Sequence, residues 1–209
     1  MPFYVLKMGG SLMASARPLM RALLTLAEEG YSFLVVPGGG VMADLVREIY
    51  SRGDLSQEAA HWMAVLAMEQ YAYFLADGSG AALTREIRRP KDDSRVQVLL
   101  PYQALIEEDR DLQHNWDYTS DAVAALVAAR LSAPLIKATD VDGVMLDGKV
   151  VTEVPANRML GRVSCIDQGT IKLLCGILKG SSIWVLNGTD AQQFTRALKK
   201  GEGGTIIKG

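Results

Sequence analysis

Short continuous apolar runs alternate along the chain with longer stretches of helical spacing, and the two recur in pairs. Residues 3–8 form a β-rich run that Gly9, Gly10 and Ser11 break, ahead of a helix that carries Pro18 in its first turn and stops at Gly30. Residues 32–36 repeat the pattern, with Pro37, Gly38, Gly39 and Gly40 leading into a helix over residues 41–50. Successive strand–glycine turn–helix units predict a parallel sheet with helices on its faces. Residues 56–76 follow, apolar nearly all round, with Ser56, Gln57 and Glu58 supplying capping chemistry. That stretch is short for a bilayer and is interrupted by Glu69 and Gln70, so it predicts a core helix or one shared with a second copy of the chain.

Residues 84–95 hold Arg85, Arg88, Arg89, Lys91 and Arg95 beside Pro90, Asp92 and Asp93, and predict a solvated loop from which an arginine can lean over a phosphate. The remaining pattern predicts a strand over 96–100, an Ala-rich helix opened by Thr119, Ser120 and Asp121 and ending near Leu131, and a strand over 134–138. After a short hairpin containing Gly148 come a helix over 167–178, a strand over 183–186, a helix over 190–200 and a strand over 205–207. There is no linker, repeat or low-complexity segment, so residues 1–209 read as a single α/β domain.

Composition narrows the classes. An apolar fraction of 49% in 209 residues supports a continuous core. Twenty-two basic against 24 acidic residues, a formal charge of −2, provide no footprint for nucleic acid or an anionic membrane. Cys165 and Cys175 lack zinc-type partners, His61 and His114 lack metal-ligand spacing, and no signal peptide opens the chain. The expectation is a cytoplasmic protein with no resident metal site. Glycine stands out instead, at 20 residues, grouped where strands end, with none between Gly80 and Gly143. Such groups suggest loops that bring backbone close to a ligand.

Phosphate is the ligand that glycine loops most often serve. No window matches the Walker pattern of glycine, four residues, then Gly-Lys-Ser/Thr. Gly38, Gly40 and Ala43 imitate a dinucleotide fingerprint, but the acidic residue about 20 positions on is Glu58, which opens a helix instead of closing a second strand. A third arrangement uses several elements in order: Lys7 with Gly9, Gly10 and Ser11; Gly38, Gly39 and Gly40; Thr119 to Ala125 in a Thr-x-Asp-x-x-Ala-Ala pattern; Lys137 with Thr139, Asp140, Asp142 and Gly143; and Gly204 with Thr205.

This ordered set, spanning essentially the whole chain, resembles the amino acid kinase superfamily. The resemblance implies a three-layer αβα sandwich with a mainly parallel sheet of about eight strands, residues 1–130 forming the acceptor-binding and catalytic half and 131–209 the nucleotide half. It implies a kinase that uses ATP and Mg²⁺. Phosphoryl transfer needs positioning and charge cancellation more than covalent chemistry. Lys7 would contact the transferring phosphoryl, with Gly9, Gly10 and Ser11 donating hydrogen bonds. Asp121 resembles the carboxylate that organises the catalytic lysines, and Thr119 or Ser120, as the helix cap, leaves it free to do so. Lys172, in Asp167-Gln168-Gly169-Thr170-Ile171-Lys172, is the candidate second lysine in a frame altered from the family's Gly-Met-x-x-Lys. Lys137 resembles a lysine near the nucleotide phosphates in the uridylate kinase branch. Thr139, Asp140, Asp142, Gly143, Gly204 and Thr205 would shape the nucleotide side.

On the acceptor side the same resemblance points to Gly38, Gly39, Gly40, Asn115 and Thr119, with Asp117 facing the cleft of Asp121, and Asp44 or Asp117 taking an ammonium group. Isopentenyl phosphate kinases use a histidine toward their acceptor, but His61 lies on the apolar helix, where a core or interface role is the expectation. The compact length, the run from His114 to Asp121 and the Gly-Thr ending look most like the small branch of aminomethylfuran phosphate kinases. That branch implies transfer of the γ-phosphoryl of ATP to a phosphate-bearing acceptor in methanofuran biosynthesis, while the apolar 56–76 helix itself predicts a homodimer or larger oligomer formed through it. Uridylate-, isopentenyl-phosphate- and amino-acid-type kinases of the same fold, and a nucleotide-binding or storage protein without activity, are the alternatives.

Overall fold

The computed structural model describes residues 1–106 and 112–209. In chain order it contains β1 (Phe3–Met8), a 3-10 turn (Gly10–Ser15), α1 (Ala16–Glu28), β2 (Ser32–Pro37), α2 (Gly40–Ser51), α3 (Gln57–Ala76), β3 (Ala82–Thr84), β4 (Val96–Leu99), α4 (Pro101–Leu105) and α5 (Ser120–Arg130). There follow β5 (Leu135–Thr139), the hairpin β6 (Met145–Leu146) and β7 (Lys149–Val150), β8 (Glu153–Pro155), α6 (Gln168–Cys175), β9 (Ser182–Asn187), α7 (Ala191–Lys200) and β10 (Thr205–Lys208). Local chemistry sets several boundaries. Ser56 accepts from Ala59 N at 3.1 Å, Asp167 from Thr170 N at 2.6 Å and Asp190 from Gln192 N at 2.8 Å, each satisfying an orphan donor of the helix it opens.

Eight strands form one sheet in the order β3-β4-β2-β1-β5-β9-β10-β8, parallel throughout except for the antiparallel pair β9 and β10. Side chains alternate across it. Val5, Leu34, Val36 and Val185 pack with Ala122, Val123, Ile171 and Leu174 from α5 and α6, whereas Leu6, Met8, Phe33 and Val35 pack with Leu19, Leu23 and Phe194 from α1 and α7. The expected three-layer sandwich with a mainly parallel eight-stranded sheet is the architecture observed. Among the described residues no helix is long and apolar enough to cross a membrane.

Three readings change. Thr84, the first residue of the loop expected over 84–95, closes an edge strand, β3, and β8 and α4 also escape the pattern, because elements of three to five residues are too short to show a period. The helix expected over 167–178 ends at Cys175, where Gly176 leaves the helical region with φ −115° and ψ −110°. Thr119 does stand at the N-cap of α5, but its side chain caps nothing there.

Strand order places the site. From β1 the chain moves outward through β2 on one side and later returns to β5 on the other, so the carboxyl ends of β1, β2 and β5 border a topological switch point, where open α/β sheets bind ligands. The turns after β1 and β2 touch there, backbone to backbone. A Cβ on Gly10 would collide with the Gly40 backbone, one on Gly38 would lie 2.7 Å from Gly10 N, and Gly40 itself takes φ +54°. Gly10→Ala is therefore expected to destabilise the fold by about 1–3 kcal/mol, the range for forcing an extra methyl into a packed contact. Urea unfolding measures it, and an unchanged midpoint would show that the two turns separate freely.

Candidate active site

The parallel register of β1 and β5 sets Lys7 opposite Lys137, so two lysines stand side by side on one face of the sheet's centre. Both are buried, at 7% and 5% exposure. Strands lie about 4.8 Å apart, and two like charges about 5 Å apart repel by roughly 3 kcal/mol at an effective dielectric near 20. Asp121, in the first turn of α5 and 5% exposed, supplies the countercharge. Its Oδ1 lies 2.9 Å from Lys7 Nζ and its Oδ2 2.5 Å from Lys137 Nζ, which also donates to the Cys165 carbonyl. Burial pushes the Asp121 carboxyl up, but Lys137 and Lys7 outweigh it and hold the group well below the usual carboxylate range. The Lys7 ammonium is lowered, first by burial and further by Lys137, against the pull of Asp121.

Around this triad the turn after β1 is tied to the end of β5: Gly9 N donates to Ala138 O at 3.0 Å, and the Asp140 carboxyl, which burial pushes up, is held below its ordinary value by the Ser11 hydroxyl near it. Asp140 also accepts from Thr139 Oγ1 at 3.2 Å, while Asp142 accepts from Asn187 Nδ2 at 2.7 Å. Thr205, expected to shape the nucleotide side, is turned inward. It is fully buried, its hydroxyl donates to Val151 O and accepts from Val144 N at 2.9 Å, and Gly204 packs against Val185 O at φ +66°.

Beside the triad a pocket opens between α2, α3, α5 and residues 115–119, lined by Gly39, Arg47, His61, Met68, Trp116 and Tyr118 among others, with Asn115, Thr119 and Ser120 also in its wall. Trp116 is held by Arg47, whose guanidinium lies 5.1 Å from the ring centre, and by Tyr50 at 5.9 Å. His61 and His114 stack at 3.8 Å, and His114 Nδ1 lies 2.5 Å from Glu58 Oε2.

Of the residues expected on the acceptor side, Gly39, Asn115 and Thr119 line this pocket, while Gly38 and Gly40 flank Gly39 in the turn. Asp44 is outside the lining and is paired with Arg47 at 2.6 Å. Asp117 does not face the pocket. Its carboxylate meets Lys172 Nζ at 2.5 Å on the half-exposed surface of α6, a hydrogen bond that raises the Lys172 ammonium. The carboxylate of the triad is thus shared by Lys7 and Lys137, with Lys172 standing apart. Arg47 and Asp167, to which the sequence pattern assigns no role, also stand here, Arg47 in the pocket lining and Asp167 with its backbone N on Asp121. Arg47 was detectable, because Gly39, Ala43 and Arg47 recur at every fourth position on one face of α2.

Removing one partner from a buried ion cluster leaves uncompensated charge. Asp121→Asn is expected to cost about 3–5 kcal/mol of stability at neutral pH, read by urea unfolding. Because the folded carboxyl lies below its reference of 3.8, the stability it supplies is complete above that value and fades as pH falls through the folded one. The gap between wild type and variant should therefore narrow below about pH 4; a constant gap would mean that the carboxylate's charge is not what stabilises the cluster.

Residues 2–173 match the family model described as the amino acid kinase family. Over 208 residues the chain is 33% identical to the Methanocaldococcus jannaschii protein named [5-(aminomethyl)furan-3-yl]methyl phosphate kinase, covering 94% of this chain and 93% of that one. Two solved structures share the fold. Uridylate kinase from Archaeoglobus fulgidus superposes with a TM-score of 0.69 at 21% identity, covering 99% of this chain and 100% of its own. UMP kinase from Bacillus anthracis superposes with a TM-score of 0.67 at 14% identity, covering 100% and 97%.

Proposed function

The chain belongs to the amino acid kinase family and is a phosphotransferase, and from that premise we propose that it moves the γ-phosphoryl group of ATP onto the phosphate of [5-(aminomethyl)furan-3-yl]methyl phosphate, giving the diphosphate in methanofuran biosynthesis. The observation that carries this reading is the 33% identity, over nearly the full length of both chains, to the kinase of that name. The pocket beside the triad supports it: Trp116, Tyr118 and Met68 suit a small aromatic ring, and Arg47 with the backbone of Gly38, Gly39 and Gly40 suits its phosphate.

In this reading an acceptor phosphate oxygen attacks the γ-phosphorus, the bond to the β-phosphate oxygen breaks, and ADP leaves. The acceptor oxygen is already anionic, so no general base is required. Asp121 is held ionised with both oxygens engaged, which suits it to aiming Lys7 and Lys137 at the equatorial oxygens of the transferred group and not to taking a proton. Gly9, Gly10 and Ser11 cradle the phosphates, and Lys172 supplies a further cation from α6 once Asp117 releases it. Residues 1–130 form the acceptor and catalytic half. Residues 131–209 form the nucleotide half, with Thr139, Asp140, Asp142 and Gly143 on its wall and Gly204 and Thr205 bracing it from behind. The exposed Asp140 would offer a carboxylate oxygen to Mg²⁺, a hard cation bound through one or two carboxylates and substrate phosphates, which would screen charge between phosphate groups. The reaction belongs in the cytoplasm, where ATP is supplied.

Lys7→Ala should lower kcat at least about a hundredfold with the fold retained, as expected when a transition-state charge partner is removed. ADP release with the furan phosphate, UMP, isopentenyl phosphate, acetylglutamate and aspartate tests the acceptor: preferred turnover of any other member would reassign the substrate, and near-normal turnover by Lys7→Ala would refute the catalytic assignment. We further propose a homodimer or higher homo-oligomer through α3, which leaves Leu66 and Tyr73 exposed at 40% and 55% on an otherwise apolar helix. Light scattering is expected to give a multiple of the 22.7 kDa chain mass, and Tyr73→Glu to return it to that mass.

A further inference from the structure

The triad joins three elements, β1, β5 and α5, and its geometry depends on where the first turn of α5 is held. Thr119 occupies the N-cap position but gives its polar groups away. Its backbone N donates to Asp167 Oδ2 at 2.9 Å and its hydroxyl to the same oxygen at 2.6 Å. The other oxygen of Asp167 accepts from Thr170 N at 2.6 Å and so caps α6. Asp167 N donates to Asp121 Oδ2 at 3.3 Å, and two residues earlier the Cys165 carbonyl accepts from Lys137 Nζ. A second contact reinforces the first: Gly169 N donates to Asp117 O at 2.6 Å, and a Cβ at Gly169 would stand 2.6 Å from that oxygen and 2.5 Å from the Tyr118 ring. The start of α6 is thereby pressed against residues 117–119, immediately before the turn that bears Asp121.

A helix cap alone does not explain an aspartate here. Serine and asparagine cap as well as aspartate, without placing a second buried carboxylate beside Asp121. Burial and the charge of Asp121 both push the Asp167 carboxyl up, against the hydrogen bonds of Thr119 and Thr170. What aspartate adds is an oxygen that takes both Thr119 donors while its twin caps α6.

We propose that Asp167 is a positioning residue for phosphoryl transfer: by clasping Thr119 to the start of α6 it fixes the first turn of α5, and with it the carboxylate that aims Lys7 and Lys137. This rests on the phosphoryl-transfer reading above. Misplacement by about 1 Å can cost a hundredfold in rate, and a clasp touching no substrate should act on kcat more than on ATP binding.

Asp167→Ser separates clasp from cap, because serine caps well but is too short to hold Thr119 while it does so. The expected result is a melting temperature within a few degrees of wild type, a kcat lower by about a hundredfold, and a KM for ATP within about threefold. A kcat within about threefold of wild type would reduce Asp167 to a cap and overturn the proposal. Should the serine variant not fold, Thr119→Val, which deletes the hydroxyl bond and leaves Asp167 and its cap in place, must lower kcat by about tenfold, one charge-assisted hydrogen bond's worth; wild-type turnover would be equally decisive against it. If the wild-type protein turns over no acceptor, the functional reading fails and the lysine side-chain NMR spectrum decides the structural claim. The Lys7 and Lys137 ammonium signals must shift in Asp167→Ser, and coincident signals would overturn the clasp.

Discussion

Two buried lysines brought together by strand register, and the one carboxylate that lets them stay there, are the constraint on which the rest of this molecule turns. Neither ammonium group tolerates an apolar interior alone, and side by side they would repel. Asp121 resolves both problems at once, and in doing so dictates that α5 must begin at the carboxyl end of β1 and β5. The start of α6 then has to lie where its backbone meets Lys137 and Asp121. The price is a charged cluster in the core; the return is a pair of cations whose positions the fold sets in advance, the kind of preorganised charge that the proposed phosphoryl transfer would use.

The glycine turns serve that cluster in two ways. Bare backbone can approach phosphate oxygens, and the 3-10 turn and α2 begin with their N–H groups at the same end of the sheet. Yet Gly10 is also packed against both Gly38 and Gly40, so the glycines are needed for the turns to reach their places at all. The chain's overall charge of −2 has no bearing on anion binding here, because the field is made locally by two lysines and oriented amides.

The pocket side is built differently. The ion pairs near it, Asp44 with the pocket's Arg47 and, away from the pocket on α6, Asp117 with Lys172, lie half exposed, where water screens them and either partner can be replaced at little cost. The buried triad cannot be exchanged in this way.

Much of the fold was legible in the residues alone. Apolar runs marked the long strands, Ser56, Asp167 and Asp190 marked helix starts, and repeated strand–turn–helix units marked a parallel sheet, because each of these signals is local. Lys7, Asp121 and the glycine turns were recognisable by order and spacing, although their roles are still read from chemistry and resemblance. The pairing of Lys7 with Lys137, the inward turn of Thr205, the engagement of Asp117 by Lys172 and the clasp of Asp167 on Thr119 were decided only by the tertiary structure. Each joins residues from distant parts of the chain, and which partner a side chain finds depends on strand order and register, which no local pattern of hydrophobicity or capping encodes.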